Sequence, residues 1–261
     1  MQIWAVANQK GGVGKTTTAV ALGGLAAADG HRVLLLDLDP HGSLTCYFHL
    51  DPENLSGSTF TLFRERQKLD ANLVRQLVFN TPYPRLSLIP ATTGLATLER
   101  QAIGSDGMGL VVSQALAQVW DQFDLAILDC PPQLGVLMVN ALAACQRLII
   151  PVQTEFLALK GLERIVHTLN MMRKSRNRPV PYVVVPTLFG SVADVQSALD
   201  HLEVVALAND DGAVHFVILS DFTDAPQEVM PEDQAILDAA ATGIAALNRR
   251  HPHPDGDRFL L

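Results

Sequence analysis

Cysteine is scarce in this chain. Its 261 residues include only three, Cys46, Cys130 and Cys145, and these are widely spaced. Iron–sulfur clusters need several thiolates at short spacings, and disulfide-stabilised folds need paired cysteines at a much higher density. The sequence therefore indicates neither a cysteine-ligated cluster nor a disulfide framework. We interpret the three cysteines as free thiols in a reducing cytosol.

Long apolar runs are also absent, although 48% of the residues are hydrophobic. No uninterrupted apolar stretch approaches the roughly 18 residues that a membrane-spanning helix needs. The N-terminus has no basic region followed by an apolar region and a cleavage site, so we do not expect secretion. These features predict a cytoplasmic protein of one or two soluble domains with a sizeable core and no membrane partner.

Positive charge is in short supply. The chain has 19 Lys and Arg against 27 Asp and Glu, so its net charge of −8 gives no global attraction to nucleic acid. The densest basic cluster lies at 173–178, where four cations either contact phosphates or simply suit a helix C-terminus. Non-specific DNA binding is therefore weakly supported. The tail at 251–254 is short and broken by proline, which favours neither a metal site nor an amphipathic membrane helix.

A glycine-rich loop is the most informative feature that is present. The run Lys10-Gly11-Gly12-Val13-Gly14-Lys15-Thr16-Thr17 directly follows an apolar strand-like stretch. Such a loop points main-chain N–H groups at phosphate oxygens, and the helix after it directs its positive end at the same anion. In this motif Lys15 reaches the β- and γ-phosphates and Thr16 coordinates Mg²⁺. The residues predicted to bind the nucleotide are Gly11, Gly12, Val13, Gly14, Lys15, Thr16 and Thr17.

The loop departs from the common phosphate-binding template at two positions. Gln9 replaces the first glycine, and an additional lysine, Lys10, precedes the loop. In this form the loop resembles the deviant Walker A signature of the ParA/MinD family of ATPases. The resemblance implies that Lys10 crosses a dimer interface to the partner's nucleotide, where it would stabilise charge on the transferring phosphoryl group. The alternative is that Lys10 is a solvated loop lysine.

A second apolar run ends in two carboxylates. Residues 33–36 have strand character and lead into Asp37 and Asp39, which precedes Pro40. Ligands of open α/β sheets lie beyond the carboxyl ends of such strands. The resemblance implies that Asp39 orients the attacking water and that Asp37 lies near Mg²⁺ in a first switch segment. The alternative is structural, because an Asp before Pro commonly begins a turn.

A third apolar run, at 125–128, ends in Asp129. This residue resembles the Walker B carboxylate, whose task is to hold Mg²⁺, through a coordinated water. The following segment, 131–135, resembles a second switch that reports the γ-phosphate. The metal-site prediction is therefore Thr16, Asp37 and Asp129, and the catalytic prediction is Lys10, Lys15 and Asp39. The predicted cofactors are ATP and Mg²⁺.

Strand-like and helix-like segments alternate along the chain. We predict strands near 2–7, 32–37, 86–90, 124–129, 147–152 and 181–186, and helices near 15–29, 70–79, 94–102, 108–121, 136–144 and 157–173. This alternation predicts an α/β fold, a doubly wound, mostly parallel sheet flanked by helices. It is the P-loop NTPase arrangement that the ParA/MinD resemblance also implies.

Residues 95–99, 151–156 and 159–163 are similar to a chromosomal branch of the family found beside chemotaxis and flagellar genes. That similarity implies a role in positioning chemotaxis arrays. The helix from Glu155 to Met172 has an exposed face that either binds a partner or is simply solvated. We expect an ATP-dependent homodimer and a ParB-like or chemotaxis-array partner, with polar or nucleoid-associated placement left open.

The composition changes near residue 190. Residues 1–189 contain 16 Lys and Arg and 14 Asp and Glu, a balance of +2, whereas residues 190–261 contain 3 and 13, a balance of −10. We predict a P-loop ATPase core over 1–189 and an atypical acidic segment over 190–261, packed on the core or a foreign fusion. The segment resembles a fragment of a cyclic β-glucan synthase; the alternative is a native but divergent C-terminal part. We predict a strand near 214–219 and a helix near 233–248 within it.

These patterns together predict a ParA-like ATPase whose ATP-dependent dimerisation is a switch for intracellular positioning or partitioning, of chemotaxis arrays, plasmid or chromosome. The alternative is a catalytically impaired nucleotide-binding or interaction module, because the altered C-terminal third departs from the family pattern. A metabolic enzyme with the same loop, of the iron-protein or amide-ligase kind, is a third hypothesis.

Overall fold

A computed structural model describes residues 1–101, 108–153, 161–162, 164–171, 180–187, 205–208 and 214–218. Nine strands form one sheet. They are β1 Gln2–Val6, β2 Val33–Asp37, β3 Phe79–Asn80, β4 Leu86–Ile89, β5 Leu125–Asp129, β6 Arg147–Gln153, β7 Tyr182–Thr187, β8 Val205–Ala208 and β9 Val214–Ile218. Their order across the sheet is β3-β4-β2-β5-β1-β6-β7-β9-β8.

The central part of the sheet is parallel. Strands β4, β2, β5, β1, β6 and β7 pair in parallel, whereas β3 and the β9–β8 hairpin add antiparallel edges. Strands β2 and β5 are buried along their whole length, which explains why they are continuous apolar runs rather than alternating ones. The doubly wound, mostly parallel α/β fold predicted from the sequence is confirmed.

Seven α-helices are described. They are α1 Lys15–Ala28, α2 Ser43–Tyr47, α3 Thr59–Arg64, α4 Ala71–Leu77, α5 Leu95–Gln101, α6 Val111–Ala117 and α7 Val136–Ala144. Helical turns also occupy 161–162 and 164–171, and 3₁₀ turns occupy Arg66–Lys68 and Met108–Leu110. The helix predicted over 108–121 is therefore shorter, a 3₁₀ turn followed by α6.

Both faces of the sheet are packed. Along β2, Leu34 and Leu36 join one apolar cluster, and Val33 and Leu35 join the other. This split follows from the alternation of side chains along a strand. Helix α1 covers the face of Val33 and Leu35. It lies so close to the sheet at Gly23 that a Cβ added there would be 2.7 Å from Leu35 Cδ2.

The other sequence predictions divide as follows. The strand predicted near 214–219 is confirmed as β9, while α2, α3, β3 and β8 were not predicted. The helix predicted over 233–248, the basic cluster at 173–178 and the tail at 251–254 lie outside the described residues. Within the described part of the chain, no helix is long and apolar enough to span a bilayer.

Candidate functional site

Three neighbouring strands deliver the predicted site residues to one edge of the sheet. Asp37 and Asp129 end β2 and β5 and stand opposite each other in the parallel register. Val6, the last residue of β1, is the partner of Asp129 on the other side. The glycine-rich loop leaves β1 at this edge, so the loop and the two carboxylates meet where α/β folds bind their ligands.

The loop has the backbone of an anion-binding turn. Gly12 and Gly14 have φ of 74° and 81°, left-handed values that disfavour residues with a Cβ. Gly14 leads directly into α1, and a Cβ on Gly11 or Gly12 would meet open space, so the outer wall of the loop is clear. Lys15 Nζ donates to the carbonyl oxygen of Lys10 at 3.0 Å and so lies across the loop interior.

Lys15 is only 8% exposed. Burial lowers the pKa of its ammonium group, and the charges of Asp129 and Asp39 raise it in part. An anion held in the loop would supply the same compensation for the buried charge. The predicted phosphate contact of Lys15 therefore agrees with its environment.

The two carboxylate oxygens of Asp129 have different surroundings. Thr16 Oγ1 donates to its Oδ2 at 2.7 Å, and its buried Oδ1 finds no hydrogen-bond partner among the described residues. Burial, followed by the charge of Asp37, raises the pKa of Asp129 well above its ordinary value. An orphaned buried oxygen is costly, and a cation would satisfy it.

Mg²⁺ fits this arrangement. Among the described residues, no group of three or more His, Cys, Asp or Glu side chains could hold a metal ion on its own. Mg²⁺ usually takes one or two protein ligands and completes its shell with water and phosphate oxygens. Thr16 and Asp129, beside the glycine-rich loop, offer hard oxygen donors of that kind.

Asp37 has a different environment from Asp129. Its Oδ2 accepts from Thr45 N at 2.8 Å and Thr45 Oγ1 at 2.7 Å, and its Oδ1 accepts from Asp39 N at 3.0 Å. Burial raises the pKa of Asp37 to about 6 despite these bonds. Its hydrogen bonds hold the loop after β2 in shape. Direct participation of Asp37 in a metal site stays a prediction.

Asp39 lies at the rim of the site in a turn. Its Oδ1 accepts from His41 N at 3.0 Å and lies 2.7 Å from His41 Nδ1, and its carbonyl oxygen accepts from Gly42 N at 2.9 Å. Asp39 therefore begins a turn, as expected of an Asp before Pro, and a role in turnover is compatible with that turn. The same turn holds the carboxylate, 14% exposed, close enough to Lys15 to affect its pKa. Its proposed role with water stays a prediction.

Lys10 is half-buried rather than freely solvated. Its Nζ donates to Gln153 Oε1 at 3.3 Å, at the end of β6, and its main-chain N donates to Asn8 Oδ1 at 3.1 Å. The solvated-lysine alternative therefore does not describe this side chain. Its action on a partner subunit stays a prediction.

Several supporting residues were missed by sequence reasoning. Asn8 Nδ2 donates to Pro151 O at 2.7 Å, Gln9 Nε2 to Thr168 Oγ1 at 3.3 Å, and Thr187 Oγ1 to Val13 O at 2.9 Å. Together these bonds tie the glycine-rich loop to β6, to the helical turns at 164–171 and to the end of β7. Gln9, which departs from the template, gave the one available signal.

The segment predicted to be a second switch, 131–135, is held at its C-terminal end by a residue from another helix. Glu99 of α5 accepts from Val136 N at 3.0 Å and from Leu137 N at 3.1 Å, at the start of α7. Glu99 belongs to the 95–99 pattern noted in the sequence, but the pattern gave no indication of this contact.

Known proteins are similar to this chain in sequence and in fold. The profile of a family described as an AAA domain matches residues 1–181. The chain is 33% identical over 195 residues to the chromosome partitioning protein ParA of Myxococcus xanthus, covering 74% of this chain and 67% of that protein. It is 38% identical over 176 residues to the sporulation initiation inhibitor protein Soj of Bacillus subtilis, covering 67% and 68%.

Among solved structures, the fold is similar to cobyrinic acid a,c-diamide synthase from Mycobacterium smegmatis with a bound ATP analogue and magnesium. The TM-score is 0.72 at 29% identity, and the alignment covers 96% of both chains. The family match over more than half of the chain, the two relatives and the shared fold agree with one another. The chain therefore belongs to the ParA/MinD family of P-loop ATPases.

Proposed function

We propose that this protein is a Mg²⁺-dependent ATPase that switches between a monomer and an ATP-bound dimer to position or partition an intracellular cargo. The single observation that carries the ATPase proposal is the bond from the part-buried Thr16 to the buried Asp129, whose other oxygen has no partner among the described residues, beside Lys15 and the glycine-rich loop. When bound, Mg-ATP supplies the transferable phosphoryl group and a cation that neutralises its charge.

Different residues of the chain would bind the phosphates, hold the cation and orient the attacking water. The N–H groups of the loop and of the first turn of α1, together with Lys15, bind the phosphates, and Thr16 and Asp129 hold the cation. Asp39 orients the attacking water. Its carboxylate is suited to this because the turn to His41 fixes its Oδ1, while its Oδ2 accepts no hydrogen bond from the described residues and can hold a water molecule.

Lys10 gives the site its link to a second subunit. In the proposed dimer it reaches the partner's nucleotide, so ATP binding and assembly are coupled, and slow hydrolysis returns the protein to the monomer. The bond from Lys10 to Gln153 would then have to exchange for a contact across the interface. The similarity to the chromosome partitioning protein ParA supports a partitioning role. We propose the ParB-like or chemotaxis-array partner from the sequence resemblance alone.

A second candidate is an ATP-dependent amide ligase. It is favoured by the similarity of nearly the whole chain to the M. smegmatis structure, which is described as a diamide synthase. The two candidates differ in what they need for turnover. A switch ATPase hydrolyses ATP by itself, whereas an amide ligase needs an acid and an ammonia donor for rapid ATP consumption.

The test compares the wild type with Lys15→Ala and Asp39→Ala, and with Lys68→Ala, an exposed lysine outside the site, as the matched control. We expect Lys15→Ala to weaken binding of a fluorescent ATP analogue by about a hundredfold, the loss of a buried charge-assisted contact. We expect Asp39→Ala to bind ATP normally, lose most phosphate release and accumulate as a dimer in size-exclusion chromatography with light scattering.

Unchanged nucleotide affinity in Lys15→Ala would sink the proposal. Binding without turnover or dimerisation in the wild type would instead support the impaired-module alternative. ATP consumption that appears only with an acid and an ammonia donor would support the ligase.

A further inference from the structure

The start of α7 is closed by a carboxylate from α5. Glu99 accepts hydrogen bonds through Oε2 from Val136 N and through Oε1 from Leu137 N, across 37 and 38 residues of sequence. The first N–H groups of a helix have no intrahelical acceptor and carry partial positive charge, so a bidentate carboxylate is a strong partner for them.

Gly135 is shaped to this contact. A Cβ placed on Gly135 would overlap the Glu99 carboxylate, so no larger residue fits while the contact is made. The backbone at Gly135 is extended, with φ of −124°, and does not itself require glycine. The glycine is therefore needed for the room that it leaves to Glu99.

The contact stands at one end of the second switch segment. At the other end, Cys130 N donates to Val6 O at 3.1 Å and Asp129 accepts from Thr16, so the chain is fixed beside the proposed cation. Between these two fixed points lie residues 131–135. They include Leu134, which is 45% exposed although it is a large apolar residue.

The body of α7 is held separately. Asn140 Oδ1 accepts from Val112 N at 3.2 Å, and its amide group donates to Met108 O, so the middle of the helix is tied to the 3₁₀ turn and α6. Loss of Glu99 would therefore release the first turn of α7 without detaching the helix.

We propose that Glu99 is a positioning residue of the ATPase cycle. It fixes the first turn of α7, so that a rearrangement caused by the γ-phosphate is confined to residues 131–135 and moves the exposed Leu134. Without it, the displacement would spread into α7, and residues 131–135 beside the proposed cation would be placed less sharply. This inference rests on the proposed ATPase function.

The experiment measures amide hydrogen exchange over 129–144 in Mg-ADP and in a non-hydrolysable Mg-ATP analogue, together with steady-state ATP hydrolysis. The variants are Glu99→Ala and Glu99→Gln, and Glu53→Ala, an exposed glutamate remote in sequence from the switch, is the control. In the wild type, we expect nucleotide-dependent exchange over 131–135 and none at Val136 and Leu137.

In Glu99→Ala, we expect Val136 and Leu137 to exchange about tenfold faster, the factor for losing a hydrogen bond to a charged group. Their exchange should also become nucleotide-dependent. The kcat should fall by about threefold or more while KM for ATP stays within about twofold, since the glycine-rich loop is intact. Glu99→Gln keeps one acceptor oxygen, so its exchange rates and kcat should lie between those of the wild type and Glu99→Ala.

A purely structural role would give faster exchange to the same extent in both nucleotides, with kcat unchanged, and would overturn the inference. Gly135→Ala provides a second test. By itself it should have the same effects as Glu99→Ala. In the double variant it should add little, because the Glu99 carboxylate that its Cβ would overlap is gone. If the effects of Glu99→Ala and Gly135→Ala on exchange and kcat were additive in the double variant, the proposed contact between Glu99 and Gly135 would be contradicted. A wild type without ATP turnover would defeat the proposed function and this inference together, whereas normal turnover with an insensitive Glu99→Ala defeats the inference alone.

Discussion

Two buried carboxylates on adjacent strands define the site at the scale of single residues. Asp37 accepts three hydrogen bonds, while one oxygen of Asp129 accepts none among the described residues. Burial raises the pKa of both groups; the charge of Asp37 raises the pKa of Asp129 further, and the charge of Asp39 raises that of Asp37. The pair therefore favours a cation between the strand ends, and the open oxygen of Asp129 shows where it would bind. Asp37 organises the loop that carries Asp39.

Thr45 tests this division of roles. Its hydroxyl donates to Asp37 Oδ2 at 2.7 Å and accepts from Ala91 N at 2.8 Å, fully buried. Thr45→Val keeps the shape and removes both bonds, so we expect a loss of about 2–3 kcal/mol in the free energy of unfolding. Thr45→Ser keeps the hydroxyl and should lose clearly less. Urea unfolding of the three proteins measures this, and equal stability of the Val and Ser variants would refute it.

The predictable residues are those that end apolar runs. Asp37 and Asp129 were predicted because each closes a strand whose burial is readable from its sequence, and the structure places them side by side. Thr187, Thr45 and Glu99 were not predicted in their roles. Their contacts depend on which elements become neighbours; the bond from Thr187 to Val13 joins residues 174 apart. No local pattern encodes such a distance.

At the scale of elements, α1 packs closely on the sheet. Two adjacent glycines of this helix, Gly23 and Gly24, provide a test. A Cβ on Gly23 would lie 2.7 Å from Leu35 Cδ2, whereas a Cβ on Gly24 would meet nothing within 4 Å. Gly24→Ala should therefore raise the free energy of unfolding by about 0.5–1 kcal/mol, the helix-propensity gain. Gly23→Ala should lower it by about 1 kcal/mol, because the overpacking of buried Leu35 exceeds that gain. Chemical denaturation measures both, and a similar gain in both variants would contradict the close approach.

A surface ion pair joins the starts of β2 and β5. Arg32 donates from Nε at 3.1 Å and from its terminal nitrogen at 2.7 Å to Asp124, whose Oδ2 also accepts from Arg32 N. These hydrogen bonds lower the pKa of Asp124 below its ordinary 3.8. A lowered carboxyl pKa stabilises the fold above the unfolded-state value, and this contribution is lost as the pH falls through the folded-state pKa.

Asp124→Asn should therefore lower stability modestly at pH 7 and progressively less as the pH falls below about 4. Asp121→Asn is the control, because Asp121 binds Arg32 through its main-chain carbonyl oxygen. Thermal unfolding at pH 7, 5 and 3 measures the difference from the wild type. If the stability difference between Asp124→Asn and the wild type stayed constant with pH, the ion pair with Arg32 would not be the cause of the destabilisation.

Length and burial explain which elements were predictable. The buried parallel strands and α1 have strong apolar patterns and were predicted within a few residues of their bounds. Helices α2 and α3 have five and six residues, too few to show a helical period, and β3 is a two-residue exposed edge. Their formation depends on tertiary contacts, such as the bond from Thr59 Oγ1 to Asp37 O that places α3.

At the scale of the whole molecule, the acidic C-terminal part meets the core at the edge of the sheet. Strand β9 pairs with β7 through Val183 and Val184, and β8 pairs with β9. The boundary predicted at residue 189 stays a prediction; it falls between β7 and the β9–β8 hairpin, and every proposed site residue lies before it. The family profile ends close to the same place, at residue 181.

Shortening the chain after residue 189 tests that boundary. We expect the shortened protein to bind a fluorescent ATP analogue within about twofold of the wild type, because Lys15, Thr16 and Asp129 and their described contacts are retained. We also expect it to self-associate, since β7 becomes an exposed apolar edge, and a charged residue at that edge, Val183→Lys, should reduce the association measured by light scattering. Loss of nucleotide binding in a folded shortened chain would show that residues 190–261 build part of the nucleotide site. The acidic segment would then belong to the ATPase rather than to a foreign fusion.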